Sequence, residues 1–354
     1  LIMAGGTGGH VFPALAVARE LIARGTAVSW LGTAAGIEAR LVPAAGLTLH
    51  TVEIGGLRGK HLTTLLAAPT TMTRALWQTR RVLGAVRPAL VVGMGGFASG
   101  PGGLMARLGG TPLLIHEQNA AAGLTNRVLA RFADTVLQAF PNTFDAARRP
   151  RTVGNPVRAE ILGLPAPAER WARRDDAVRL LVLGGSGGAL AINERVPAAL
   201  ARLDPNRRPQ VRHQAGRTLA AAEAAYAEHG VEARLEAFID DMAGAYAWAD
   251  LVICRAGALT VAELAGAGVA ALLVPYPHAV DDHQRANARY LVEAGAARLI
   301  DQSELSADRL ARELAELTGD RAALLERAEA ARAVAWRDST NDIVDACYQT
   351  LEAA

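Results

Sequence analysis

The residues best suited to chemistry follow short apolar runs. Leu1-Ile2-Met3-Ala4 leads into Gly5-Gly6-Thr7-Gly8-Gly9-His10, and a helix is predicted to open near Pro13, since proline is favourable at a first helical position. Glycines let backbone N–H groups approach an anion, and a helix N-terminus favours negative charge, so the turn reads as a phosphate cradle with His10 at its mouth. A histidine there is a candidate general base, because its charge changes near neutral pH; a hydrogen-bonded structural histidine is the plainer alternative. Two familiar phosphate loops do not fit. GxGxxG fails where Val11 stands after Gly6 and Gly8, and the next strand ends Leu31-Gly32-Thr33 with no acid for a ribose. GxxxxGK[ST] is absent, and the only lysine is Lys60.

Further polar groups stand at the ends of other apolar runs. His116-Glu117-Gln118-Asn119 follows Leu113–Ile115, and four such neighbours need hydrogen bonds to one another or to a ligand. Arg158, just past Asn155-Pro156, can pair with a phosphate or form a surface ion pair. The glycine turn recurs 179 residues on as Gly184-Gly185-Ser186-Gly187-Gly188, where Ser186 adds a hydroxyl donor. Leu251–Cys254 then leads through Arg255-Ala256-Gly257 into Ala258-Leu259-Thr260-Val261-Ala262-Glu263, whose leading N–H groups could cap a second phosphate. Glu263 is placed to accept two hydrogen bonds from a ribose diol, although an acid near a helix start is also explained by the dipole alone. Asp281-Asp282-His283-Gln284 and Asn287 suit sugar hydroxyls. No DxD triplet occurs, so nothing signals a metal clamping a diphosphate.

These groups need strands and helices to carry them. Apolar runs at Leu1–Ala4, Val28–Leu31, Leu90–Val92, Leu113–Ile115, Leu180–Leu183, Leu251–Cys254 and Ala270–Val274 each precede a glycine-rich or polar turn, the pattern of parallel α/β sheets. In such sheets ligands bind beyond the carboxyl ends of the strands. With 354 residues and a repeated glycine turn, two similar halves are expected, joined near Gly154-Asn155-Pro156-Val157, with a ligand cleft between them. Cys254 and Cys347 have no metal-ligand or CxxC spacing and are not expected to react. No metal site is read anywhere.

The formal net charge of +2 hides an asymmetry: residues 1–150 hold 14 basic and 6 acidic side chains, residues 151–354 hold 23 and 29. Between Ile54 and His116 lie seven basic residues and no acid, a block that seeks an anionic surface. Within it Leu65, Leu66, Met72, Leu76 and Trp77 recur near helical spacing beside Arg74, Arg80 and Arg81. That is the composition of a helix lying on lipid headgroups, and equally of an amphipathic helix packed on a sheet. Nucleic acid is disfavoured, because Trp77 and Phe97 are too few aromatic residues among the arginines for a row of stacked bases. The longest uncharged stretches, Pro88–Ala106 and Leu264–Val280, are broken by glycines or prolines and are not membrane spans, and no signal-peptide pattern predicts secretion.

The ordered segments AGGTGGHVFPALAVA, GLRGK, GMGGFASGPGG, HEQNAAAGLTN, GNPVR, GGSGGA, FIDDMAGAYAWADLVICRAGALTVAELA and DDHQRANA resemble the bacterial MurG family over essentially the whole chain. Its members transfer N-acetylglucosamine (GlcNAc) from UDP-GlcNAc to lipid I, undecaprenyl-pyrophosphoryl-MurNAc-pentapeptide, giving lipid II for peptidoglycan. The resemblance implies a GT-B fold, two Rossmann-like domains with parallel sheets facing across a cleft. Expected bounds are 1–155 for an acceptor and membrane-docking domain and 156–335 for a donor domain. A C-terminal helix, 336–354, is expected to pack back on the first domain. Carried over by position, Thr7, Gly8, Gly9, Asn119, Arg158, Ser186, Ile239, Ala258 to Glu263 and Gln284 would contact UDP-GlcNAc. Of these, Ile239 would act through its backbone at the uracil, Glu263 at the ribose, Gln284 and Asn119 at the GlcNAc, and Ser186 with the Ala258 turn at the diphosphate. Glu117 and Asn287 are further polar candidates. Lipid I would lie near Gly8, Gly9, His10 and the Gly93–Gly103 loop, with Leu65 to Arg81 docking a peripheral enzyme on the anionic cytoplasmic face of the membrane. No cofactor is implied, and proteins of cell-wall synthesis and division stay open as partners.

Two departures stand out: Gly187 where many relatives carry Gln, and Phe97 where Tyr is common. The expected reaction is a single inverting displacement, in which the MurNAc 4-hydroxyl attacks the anomeric carbon, His10 takes its proton and UDP leaves. A GT-B enzyme with another acceptor, a UDP-GlcNAc 2-epimerase and a non-catalytic UDP-sugar sensor remain alternatives. The acid-free basic block favours a lipid acceptor over an epimerase.

Overall fold

The computed structural model describes all 354 residues except 56–67, 173, 175, 176, 186, 278, 280 and 281. The chain forms two units, Leu1–Pro156 with Asp338–Ala354, and Val157–Arg337.

The first unit is built on seven parallel strands, β1 (Ile2–Met3), β2 (Ser29–Gly32), β3 (Thr48–Thr51), β4 (Val91–Gly93), β5 (Leu113–Glu117), β6 (Thr135–Gln138) and β7 (Arg151–Thr152), in the order β3-β2-β1-β4-β5-β6-β7. Its helices include α1 (Gly8–Ala23), α2 (Glu38–Ala44), α3 (Ala68–Val86) and α4 (Ser99–Leu108). Alternate strand residues feed opposite faces. Ile2, Trp30 and Val92 pack under α1, whereas Met3, Leu31 and Val91 pack with Ala106 of α4. The C-terminal helix, Ser339–Glu352, inserts Ile343, Val344, Ala346 and Cys347 into the α1 side of this core. Arg24 Nη2 to Asn341 Oδ1 at 2.7 Å, and the Thr26 and Tyr348 hydroxyls at 2.7 Å, tie the same helix down.

The second unit has six parallel strands, β8 (Arg179–Leu183), β9 (Gln210–Gln214), β10 (Arg234–Glu236), β11 (Leu251–Cys254), β12 (Ala270–Leu273) and β13 (Ala297–Leu299), ordered β10-β9-β8-β11-β12-β13. Its helices include α5 (Leu190–Leu200), α6 (Met242–Trp248), α7 (Ala258–Ala267) and α8 (His283–Glu293). Leu180, Val182, Leu251, Ile253, Ala270 and Leu272 form the centre of its core.

Every apolar run singled out in the sequence is a strand. The strands without such a run, β3, β6, β7, β9, β10 and β13, carry polar residues and lie outward from the sheet centres. One boundary is corrected: α1 opens at Gly8, with Thr7 extended before it and Pro13 inside the helix, rather than near Pro13. Both cysteines are free and buried, and burial pushes each thiol up to about 12, which leaves them inert.

Candidate active site

In each sheet the strand order reverses at one place, between β1 and β4 in the first unit and between β8 and β11 in the second. Crevices for ligands open at such points. The glycine turns singled out in the sequence stand there.

In the first unit Gly6 turns with φ +88°, and α1 begins without an acid in its first turn, leaving its leading N–H groups and dipole for an anion. The turn after β4 closes against it. Gly95 and Gly96 have φ +92° and +89°, and side chains there would also collide: a Cβ on Gly96 would lie 2.5 Å from the Gly5 carbonyl oxygen, and one on Gly95 2.6 Å from His10 Nδ1. The half-buried His10 ring lies with Nδ1 2.9 Å from Gln118 Oε1.

Glu38 was not legible in the sequence. It is fully buried, with Oε2 accepting from Gly6 N–H at 2.9 Å and Oε1 from the Thr33 N–H and hydroxyl at 3.0 and 2.7 Å. Burial alone would raise this carboxyl, but its hydrogen bonds together hold it below its ordinary value. It braces the glycine turn from behind, a role visible only once β1 and β2 lie side by side.

β5 delivers His116 and Glu117 to the same end of the sheet, both buried. His116 Nε2 lies 3.0 Å from the Gly154 carbonyl oxygen, and burial lowers its pKa to about 4. Glu117 is given an internal role rather than a ligand. Oε1 accepts from the Asn119 N–H and Nδ2 at 3.0 and 3.1 Å, and Oε2 from Gly123 N–H at 3.1 Å and Asn126 Nδ2 at 2.9 Å. Those bonds shape the loop that presents the half-buried Asn119.

In the second unit Gly185 and Gly188 have φ +72° and +79°, and Gly216 from the end of β9 packs so closely that a Cβ would lie 2.3 Å from the Gly185 carbonyl oxygen. Ser186 lies outside the described residues. The turn after β11 starts α7, where the N–H groups of Ala258, Leu259 and Thr260 precede the first helical bond, from Val261 N–H to Gly257 O at 2.9 Å. Val261 is therefore corrected as a side-chain or N–H contact, since its side chain is in the core and its amide is committed. Ala262 is half-buried on the same helix, and the buried Ile239 side chain leaves its main chain to make any contact.

Glu263 and Arg158, assigned by sequence to different parts of a nucleotide, meet each other. Arg158 Nη2 lies 3.0 Å from Glu263 Oε1, and the Tyr246 hydroxyl from α6 donates to Oε2 at 3.1 Å. Burial raises the Glu263 pKa, and the attraction and hydrogen bonds of these two partners only partly offset it. Gln284 Oε1 accepts from Tyr276 N–H at 2.9 Å. Asn287 is buried with Nδ2 donating to the Ala256 carbonyl at 3.1 Å, which holds the turn before α7.

Helix α3 has two faces. Ala75 and Thr79 are buried, Leu76 is half-buried, and Met72, Arg74, Trp77, Arg80 and Arg81 are exposed, Trp77 to 57%. Arg81 lies over the Trp77 ring at 4.7 Å, and Arg74 pairs with Glu53 at 2.8 Å. One face thus packs on its unit, as an amphipathic helix does, and the other leaves basic and aromatic side chains exposed. Leu65 and Leu66 fall outside the described residues. Among the described residues no helix is long and apolar enough to cross a membrane, and no group of three His, Cys, Asp or Glu is placed to hold a metal ion.

The glycosyltransferase family 28 N-terminal domain matches residues 1–138, and the C-terminal domain of that family matches residues 179–343. The UDP-N-acetylglucosamine--N-acetylmuramyl-(pentapeptide) pyrophosphoryl-undecaprenol N-acetylglucosamine transferase of Chromohalobacter salexigens is 56% identical over 351 residues, 99% of this chain and 96% of that one. Its counterpart from Azotobacter vinelandii is 55% identical over 350 residues, 99% and 98% of the two chains. A crystal structure of Acinetobacter baumannii MurG matches with a TM-score of 0.88 and 43% identity over 98% of each chain.

The chain belongs to the MurG family.

The two parallel-sheet units are accordingly the Rossmann-like domains of a GT-B glycosyltransferase. A Neisseria meningitidis UDP-GlcNAc 2-epimerase shares this fold, with a TM-score of 0.66 at 11% identity, which is a likeness of fold alone. Both departures from the MurG family pattern lie in the glycine turns. Phe97 is half exposed beside Gly96, and among the described residues a Cβ on Gly187 would meet only Arg217 Nη2, at 3.9 Å.

Proposed function

We propose that this chain moves GlcNAc from UDP-GlcNAc to the MurNAc 4-hydroxyl of undecaprenyl-pyrophosphoryl-MurNAc-pentapeptide, with inversion, releasing UDP and lipid II. What carries the reading is the near-complete likeness, 55–56% identity over 99% of the chain, to transferases named for that reaction. Glycine turns at both switch points supply chemistry that fits it.

Within the second unit Glu263 would accept the ribose hydroxyls. The leading N–H groups of α7, with Ser186 and Arg158, would meet the charge growing on the leaving diphosphate, each donor being worth about 3 kcal/mol. Ile239 would hold the uracil by its main chain and Gln284 the sugar. In the first unit Thr7, Gly8, Gly9 and Asn119 would contact the donor, and His10 would take the proton of the attacking hydroxyl. The exposed face of α3 would seat the enzyme on an anionic membrane surface as a peripheral protein on its cytoplasmic side.

Transfer of radiolabelled GlcNAc from UDP-GlcNAc to a short-chain lipid I analogue, with and without EDTA, tests the reading. Product in both conditions is expected. Tight UDP-GlcNAc binding with no product would point to a different acceptor or a sensor. His10→Ala is expected to lower kcat about 100-fold or more, and an effect confined to the KM of lipid I would remove His10 from the role of base.

A further inference from the structure

We propose that Gln118 and His116 are positioning residues that fix the tautomer of His10, leaving Nε2 as the nitrogen with the lone pair. The inference rests on the reading of His10 as the base. A row of hydrogen bonds begins at the Gly154 carbonyl, which can only accept. His116 Nε2, 3.0 Å away, must therefore carry a hydrogen and donate it. His116 is fully buried with no acid bonded to its ring, so the ring is neutral and its Nδ1 can only accept. The group at 3.1 Å from that Nδ1 is Gln118 Nε2, which donates, and the same amide nitrogen also reaches the His116 carbonyl at 3.3 Å. The amide is thereby oriented with Oε1 toward His10, 2.9 Å from Nδ1. An amide oxygen only accepts, so the hydrogen of neutral His10 sits on Nδ1.

Each assignment forces the next, and Gly154-Asn155 holds the row at one end and at Gln118. Gly154 turns with φ +74°, which aims its carbonyl at His116, and Asn155 Nδ2 donates to the Gln118 carbonyl at 2.9 Å. Gly154-Asn155 thus does more than join two halves of the chain. The chemical consequence is direct: a ring with its hydrogen on Nε2 cannot accept a proton there, and one with its hydrogen on Nδ1 can. A neutral amide orients the ring without adding the charge that a carboxylate would bring.

The test is the ring ¹⁵N spectrum of the full chain labelled in its eight histidines, with His10 assigned by its loss in His10→Ala. His10 Nδ1 is expected to be of the protonated type and Nε2 of the bare type, with the reverse in His116. Gln118→Leu should let the Nε2-protonated form of His10 appear and lower kcat roughly 10-fold or more while the KM for UDP-GlcNAc stays within about twofold. His116→Phe, which frees the Gln118 amide to turn over, should release the same tautomer by a second route. A bare Nδ1 in the wild-type His10 ring overturns the proposal, as does a Gln118→Leu chain whose His10 tautomer is unchanged. Full activity in His10→Ala would instead sink the assignment of the base while the spectrum could still show the row of bonds, so the two failures are told apart.

Discussion

Arg158 and Glu263 form an ion pair at 3.0 Å within the second unit, with Arg158 half exposed and the Glu263 side chain 19% exposed. Tyr246 occupies the other carboxylate oxygen at 3.1 Å. Each carboxylate oxygen keeps a second lone pair, so a ribose diol would bind Glu263 beside these partners or in their place. Burial raises the Glu263 pKa, and the Arg158 cation and the Tyr246 hydroxyl oppose that rise in part.

Removing that acid should be felt in donor binding. Glu263→Gln is expected to raise the KM for UDP-GlcNAc about 10- to 150-fold, the loss of a charge-assisted hydrogen bond of about 1.5–3 kcal/mol. Arg158→Ala should add a pH dependence: with its cation gone, Glu263 takes up a proton at a higher pH, and donor affinity falls from that higher pH downward. Donor titrations of both variants across pH 5 to 8 check this, and an Arg158→Ala profile parallel to wild type would contradict it.

Gly187 invites a gain of function. Among the described residues only Arg217 Nη2, at 3.9 Å, lies near its Cβ position, and its φ is not in the left-handed region. Gly187→Gln should therefore fold normally and, by adding one hydrogen bond to the donor, lower the KM for UDP-GlcNAc up to about 10-fold. Steady-state kinetics with the donor varied gives the answer, and an unchanged or higher KM would mean that residue 187 does not face the donor.

Stability should fall in mild acid. His116 and His213 are both buried and both held down to about 4, against an ordinary 6.5, mainly by burial. Between those values the unfolded chain binds protons that the folded chain refuses, so stability is lost as pH falls from about 6.5 toward about 4. Each histidine contributes up to about 1.4 kcal/mol per pH unit in that window. Thermal unfolding at pH 7.5, 6.5, 5.5 and 4.5 should show Tm dropping over the lower steps; a level Tm from 6.5 to 5.5 would refute it.

The exposed face of α3 makes a prediction about membranes. Replacing Arg80 and Arg81 with Glu should weaken sedimentation with vesicles containing anionic lipid by about 30-fold or more at low salt, at roughly 1 kcal/mol per basic residue near the surface. Trp77→Ala should weaken it further by removing an exposed aromatic ring. The loss of activity should be larger on lipid I embedded in vesicles than on a short-chain acceptor in solution. Equal losses on the two acceptors would mean that α3 does not dock on lipid.

Fold class, the central strands and the places to look for ligands were legible in the sequence, because they depend on local patterns. Here the short apolar runs followed by a glycine-rich or polar turn are buried strands, and the glycine clusters are turns that bring backbone N–H groups forward. Outer strands such as β3 and β13 were not legible, since half-exposed strands mix polar and apolar residues as loops do. Residue types at 10, 116, 117, 118, 158 and 263 announced chemistry, but not which of them would meet. That Glu38 braces Gly6, that Glu117 spends its four bonds inside the protein, that Arg158 finds Glu263 and that Gln118 links two histidine rings are matters of approach across 32, 2 to 9, 105 and up to 108 residues of chain. Hydrogen bonds act over about 3 Å and depend on direction. Only the packed sheets set such distances and directions, which is why the sequence names the participants and the tertiary structure decides their partners.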